Sequence, residues 1–202
     1  MNTQPKPRRP ALETREHVLD VAHELFYWAG IRATGIDRVA AEAGVAPTAL
    51  YRLFPSKDAL VAAYIERAEQ RYQEWFDRVT EADGRAPSER IVALFKALAE
   101  RTRPEICRGC PFQMALTEFP DPEVEAHQSS VRLKQWVRSR LRRLAKEHAT
   151  SCSSQVDAGP LADHLTLLFE GAYATVQALG ADGPARRARQ VVAGLVGLSR
   201  SP

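Results

Sequence analysis

The chain has 202 residues, with 45% hydrophobic and 26% charged residues and a formal net charge of +3. This is enough chain for a sizeable core, and the composition excludes a disordered polymer. No stretch reaches the roughly 18 uncharged apolar residues needed to span a bilayer, and the N-terminus has no continuous apolar run, so the expected place is the cytoplasm. Residues 1–12 read as a flexible basic tail: Lys6, Arg8 and Arg9 lie among Pro5, Pro7 and Pro10, a composition that cannot build a core but can follow phosphates or enter a minor groove.

From Val18 the apolar residues recur at helical spacing through Ala22, Leu25, Phe26 and Ala29, and Gly30 closes this first helix. Ile36, Val39, Ala40 and Ala43 mark a short second helix. Gly44 then supplies the left-handed position for a sharp turn, and Pro47 suits the first position of a third helix, where its missing N–H costs nothing. Leu50 and Phe54 form that helix's buried edge. Thr48, Ala49, Tyr51 and Arg52 are left outward, a set suited to phosphates, thymine methyls and base edges. The segment reads as a helix-turn-helix. Ala46 precedes the third helix, so the N-cap hydrogen bond of a Ser or Thr, worth about 1 kcal/mol, is missing.

Ser56 is placed to cap a long helix from about Lys57 to Glu81, broken by Asp83-Gly84. A further helix spans 87–102 and stops before Pro104; a short one opens at Cys110-Pro111. Asp121-Pro122-Glu123 reads as the start of a helix running to about Glu147, followed by a Ser-rich linker over 150–154. Residues 160–179 carry two apolar faces, and Pro184 opens a last, strongly apolar helix. No strand pattern or repeat occurs, and the expected fold is all-α with about nine helices.

The stretch from 34 to 60 resembles the N-terminal domain of the TetR family of bacterial transcriptional regulators: Thr34, Ala43-Gly44-Val45, Leu50-Tyr51, Phe54 and Ser56-Lys57 follow the family's order. The resemblance implies a helix-turn-helix DNA-binding domain over 13–58 and a ligand-binding and dimerisation domain over 59–202. It assigns DNA contacts to Thr34, Pro47, Thr48, Tyr51, Arg52 and Lys57, with Tyr51 and Lys57 on the backbone and Pro47, Thr48 and Arg52 near bases. It further implies a homodimer formed by the last two helices, here Leu168, Ala172, Val176, Val191, Leu195 and Leu198, a palindromic double-stranded operator, and a small-molecule effector that releases a repressor.

Large, partly polar side chains on the helices that would surround an effector are Tyr64, Tyr72, Trp75, Phe95, Phe112, Met114, Trp136, Phe169 and Tyr173; polar candidates include Gln113, Thr117, His164 and Gln177. Each aromatic taken singly also fits an ordinary core. Cys107 and Cys110, two residues apart, fit either packing thiols or a redox pair, since Arg108 and a helix start favour thiolate at Cys110. Cys152 and dispersed histidines complete no zinc set, and no metal or cofactor is expected. Catalytic motifs are missing, so an enzyme is not expected. The basic run Arg132, Lys134, Arg138, Arg140, Arg142, Arg143 and Lys146 reads as a solvated helix face before an anion site. A thiol-based redox-sensing regulator and an effector-free architectural DNA-binding protein remain alternatives.

Overall fold

The computed structural model describes residues 10–152 and 156–198, and these form nine α-helices and no strand. Contacts divide the chain into two compact units, Met1–Arg67 and Ala68–Pro202.

The first unit contains α1 (Ala11–Ala29), α2 (Ile36–Ala43), α3 (Pro47–Leu53) and the opening turns of α4 (Lys57–Val79). Most of the expected basic tail lies outside the described residues; α1 already begins at Ala11. Its buried face is Val18, Leu19, Ala22, Phe26 and Tyr27; of the other apolar positions read from the sequence, Leu25 is half-buried and Ala29 exposed. Gly44 adopts φ 63°, ψ 32°, and its N–H turns back to the carbonyls of Ala40 and Ala41, a left-handed helix end that a side chain would strain. Pro47 opens α3 after Ala46, which supplies no side-chain cap. Ser56 caps α4, its Oγ accepting from the Ala59 N–H at 3.0 Å.

Val18, Leu19, Phe26, Val39, Leu50, Phe54, Leu60 and Tyr64 fill this core, each such side chain contributing about 1.5–3 kcal/mol on burial. Arg67 clamps α4 to α1 through Glu16 (3.2 Å) and Asp20 (2.9 Å). His17 Nε2 lies 3.0 Å from the Ala43 carbonyl, tying α1 to the end of α2. These contacts draw residues 59–67 into the first unit, so the division falls inside α4 and not at the expected 58/59 boundary.

The second unit comprises the remainder of α4, α5 (Pro87–Arg101), α6 (Pro111–Glu118), α7 (Glu125–Ser151), α8 (Ala158–Leu179) and α9 (Ala188–Leu195). α7 packs chiefly on α8 and α6, and α5 on α9. Three sequence expectations shift. The carboxylate of Asp121 accepts from the Glu123 N–H at 2.9 Å and its carbonyl from Val124, so this stretch closes as a turn and α7 starts at Glu125. α7 continues through Ser151, taking in the first residues of the expected Ser-rich linker; 153–155 lie outside the described residues. After Pro184 the first turn is 3₁₀, Pro184–Arg187, and α9 follows it.

Candidate nucleic-acid interface and regulatory core

On α3 the period of 3.6 separates two sets of side chains. Leu50 is fully buried, whereas Pro47, Thr48, Tyr51 and Arg52 are exposed, with Tyr51 at 45%. Arg52 has no acceptor among the described residues, so its guanidinium fork is available to an incoming base edge or phosphate. Lys57 stands at the start of α4 and donates to the Arg32 carbonyl at 3.1 Å, which fixes the stem and leaves two ammonium hydrogens for a phosphate. Thr34 is corrected: it is fully buried, and its hydroxyl donates to the Gly30 carbonyl at 2.8 Å, so its side chain braces the turn before α2. The sequence reading passed over Arg32, in the turn before α2, and Arg38, which the apolar spacing of α2 leaves outside; both are exposed cations of the same unit.

In the second unit, Tyr72, Trp75, Phe95, Phe112, Trp136, Phe169 and Tyr173 join one connected ring network. Tyr72 meets Trp75 (5.5 Å) and Phe112 (5.8 Å), and Phe169 meets Phe95 and Tyr173 (6.0 Å each). Phe76, which was not a candidate, links Trp136 (5.3 Å) to Phe169 (6.2 Å). Tyr64 is corrected: it is buried in the first unit edge-on to Phe26 at 5.4 Å. Gln113 and Thr117 are exposed on α6, where the Thr117 hydroxyl donates to the Gln113 carbonyl; His164 and Gln177 are also exposed, and Met114 is half-buried beside Gly109.

Polar groups thread this network. Arg101 Nε donates to the Tyr173 hydroxyl at 3.1 Å while its guanidinium lies over Trp75 (4.9 Å) and Tyr72 (5.4 Å). Burial pushes both phenols, Tyr72 and Tyr173, above their usual range, so they stay protonated and able to donate. Lys134 sits between Cys110 and Glu170, donating to Cys110 Sγ at 3.3 Å and to the Glu170 carboxylate. Burial disfavours its ammonium, yet Cys110 and Glu170 outweigh burial and hold the pKa above the usual lysine value. Cys107 and Cys110 are buried thiols that form no disulfide with each other.

The basic run of α7 is mostly ion-paired, Arg132 to Glu125, Arg138 to Asp163, Arg140 to Asp77 and Arg143 to Glu147. Lys134 leaves the solvated face because it shares a helical edge with Ser130, Val137 and Leu141, all buried. That register was the signal available in the sequence.

For the assembly surface, Leu168 is half-buried, whereas Ala172 and Val176 face the chain's own core and are corrected as contact residues. A stripe one residue over is outward instead: Leu167, 71% exposed, followed by Ala174 and Ala178. Val191, Leu195 and Leu198 are exposed.

An exposed recognition helix on a glycine-turned helix pair, joined by one long helix to a separate helical unit, defines the class of helix-turn-helix transcriptional regulators. The model of bacterial regulatory proteins of the tetR family matches residues 18–64, and that of the Tetracyclin repressor-like C-terminal domain matches 87–192. The HTH-type transcriptional regulator YjdC of Escherichia coli is 28% identical over 114 residues, 56% of this chain and 60% of YjdC; the chain thus matches about three fifths of that relative's length. The crystal structure of SCO4454, a TetR-family regulator from Streptomyces coelicolor, superposes with a TM-score of 0.82 at 28% identity, covering 94% of this chain and 97% of that one. A putative TetR regulator, sav143, from Streptomyces avermitilis gives 0.72 at 26% identity, over 91% and 98%.

The chain belongs to the TetR family. Its residues 18–64 match the N-terminal domain model of these bacterial regulatory proteins. Regulators of this family bind DNA and small-molecule effectors as dimers. Among the described residues no helix is long and apolar enough to cross a membrane.

Proposed function

We propose that the protein is a cytoplasmic homodimeric repressor that reads a palindromic operator and is released when a small molecule enters the aromatic network of its second unit. The observation that carries this reading is the division of α3, with Leu50 buried beneath an exposed Pro47, Thr48, Tyr51 and Arg52. Tyr51 and Lys57 hold the phosphate backbone, while Thr48 and Arg52 read base edges. Two-fold symmetry of the dimer then requires equivalent half-sites on successive turns of the major groove. Leu167 on α8 with Val191 and Leu195 on α9 and Leu198 just after it supplies the apolar surface for a second copy.

Selection from a random duplex library should return a palindrome. Leu195→Arg should sediment as a monomer and lose that site, and an unchanged dimer would place the interface elsewhere. Trp136→Ala and Tyr173→Ala should alter the effector response in a calorimetric metabolite screen while DNA affinity persists.

A second reading rests on Lys134 Nζ at 3.3 Å from Cys110 Sγ, an ammonium placed to stabilise a thiolate. In it a peroxide transfers one oxygen to Cys110, giving a sulfenic acid with loss of the reduced fragment, water in the case of hydrogen peroxide. Oxidation should add one oxygen to the peptide bearing Cys110 and lower operator affinity, and Cys110→Ser should remove both effects. Loss of two hydrogens between Cys107 and Cys110 would instead favour the disulfide alternative.

A further inference from the structure

Arg101, the last residue of α5, is an exposed arginine that meets no carboxylate among the described residues. Its neighbour Glu100 leans to Arg103 at 3.9 Å, and Glu170 of the polar cluster is taken by Lys134.

An exposed arginine ordinarily samples many rotamers, and fixing one on binding costs on the order of 1 kcal/mol. Arg101 is already held on three sides. Its Nε donates to the Tyr173 hydroxyl of α8 at 3.1 Å, and its guanidinium lies 4.9 Å from the ring centre of Trp75 and 5.4 Å from that of Tyr72, both on α4. Tyr72 and Tyr173 are buried and stay protonated, so neither supplies a negative charge to offset the guanidinium. With Nε engaged, the terminal nitrogens Nη1 and Nη2 have no acceptor among the described residues. Their paired N–H groups match the two oxygens of a carboxylate. Trp75 is only half-buried, so accessible ring surface lies beside that fork.

We infer that Arg101 anchors the effector and that the effector is a small organic acid, its carboxylate on the Arg101 fork and its apolar body against Trp75. A single guanidinium without a counter-charge suits one negative charge. The adjoining indole suits an apolar body better than a sugar or a bare inorganic ion. The inference rests on the proposed reading that the aromatic network takes the effector, and adds the effector's chemical class.

Calorimetry of the full chain with benzoate and hexanoate, and with their neutral amides benzamide and hexanamide, tests it at matched ionic strength. At least one acid should saturate and bind about tenfold or more tighter than its amide, equivalent to about 1.4 kcal/mol. Arg101→Gln should remove that preference by weakening the acid alone, and Arg101→Lys, which keeps the charge but not the fork, should retain only part of it. Arg103→Gln, beside it in sequence, should bind as the parent does. The ratio of acid to amide affinity is the decisive readout, because a merely structural loss weakens both probes. No saturation by either acid at millimolar concentration, or an equal ratio in the parent and Arg101→Gln, would overturn the assignment. An amide that binds as well as its acid, with Trp136→Ala weakening both, would overturn the acid class and leave the effector reading standing. Acid binding that depends on Arg101 but does not release the operator would uphold the acid site and overturn the effector reading. Should Arg101→Gln fail to fold, Arg101→Lys decides.

Discussion

Arg52 on α3 and Arg138 on α7 are both exposed arginines on amphipathic helices, yet their surroundings differ. Arg52 has no acceptor among the described residues, whereas Arg138 meets Asp163 at 3.1 Å, as Arg132, Arg140 and Arg143 meet their own carboxylates. Net charge of +3 hides this difference. A cation already paired must break its pair before it can meet a phosphate, while an unpaired one needs only to release counterions. Arg52 therefore offers its charge outward, whereas Arg90, Lys134, Arg138 and Arg140 of the second unit use theirs to join helices. The supports differ too. α3 is held by Leu50 and Phe54 and lacks a side-chain cap, while the second unit interlocks seven candidate aromatics and Phe76.

The largest expected effect lies in that interlocked core. Phe169 is fully buried and touches three rings, so Phe169→Ala should cost about 3–5 kcal/mol in denaturant unfolding. Next comes a pH effect at the end of α7. His148 is buried, and burial lowers its pKa, so the folded state binds this proton less readily than the unfolded chain. Stability from this group is therefore complete above the unfolded value of about 6.5 and declines as pH falls through the window below it, by at most about 1.4 kcal/mol per pH unit. His148→Gln should flatten that limb of a melting-temperature titration.

A cap should sharpen the contrast between the units from the other side. Ala46→Ser should add about 1 kcal/mol to the first unit by accepting a free N–H of α3. The smallest effect should be Arg138→Ala, under about 1 kcal/mol, because its ion pair with Asp163 is exposed on both sides. It should leave operator affinity unchanged; a marked loss would mean that the run on α7 takes part in DNA binding.

The helix-turn-helix was legible because its signals are local: Gly44 must be left-handed, Pro47 fits an N1 position, and Ser56 bonds three residues ahead. The errors arose where a local pattern had two outcomes and tertiary contacts chose between them. Asp121 has the chemistry of a helix cap but closes a turn at Glu123. Lys134 sits in a basic run, yet its register with Val137 and Leu141 brings it inward to Cys110 and Glu170. Tyr64 shares α4 with Tyr72, but two turns separate them, and Tyr64 meets Phe26 where Tyr72 meets Phe112. On α8 the choice between Leu167 and Leu168 as the outward residue is a rotation of about 100°, which apolar spacing alone does not fix where both faces are apolar.

The claim that the first unit divides backbone grip from base reading is tested most directly by titrating the parent, Lys57→Ala and Arg52→Ala against the selected operator and a scrambled duplex at several salt concentrations. Lys57→Ala should weaken both duplexes about equally and reduce the salt slope by about one per protomer, near two for a dimer. Arg52→Ala should lose about 1–3 kcal/mol of discrimination for each base contact removed. If Lys57→Ala changed sequence preference while Arg52→Ala left it intact, the assignment of roles on this surface would be contradicted.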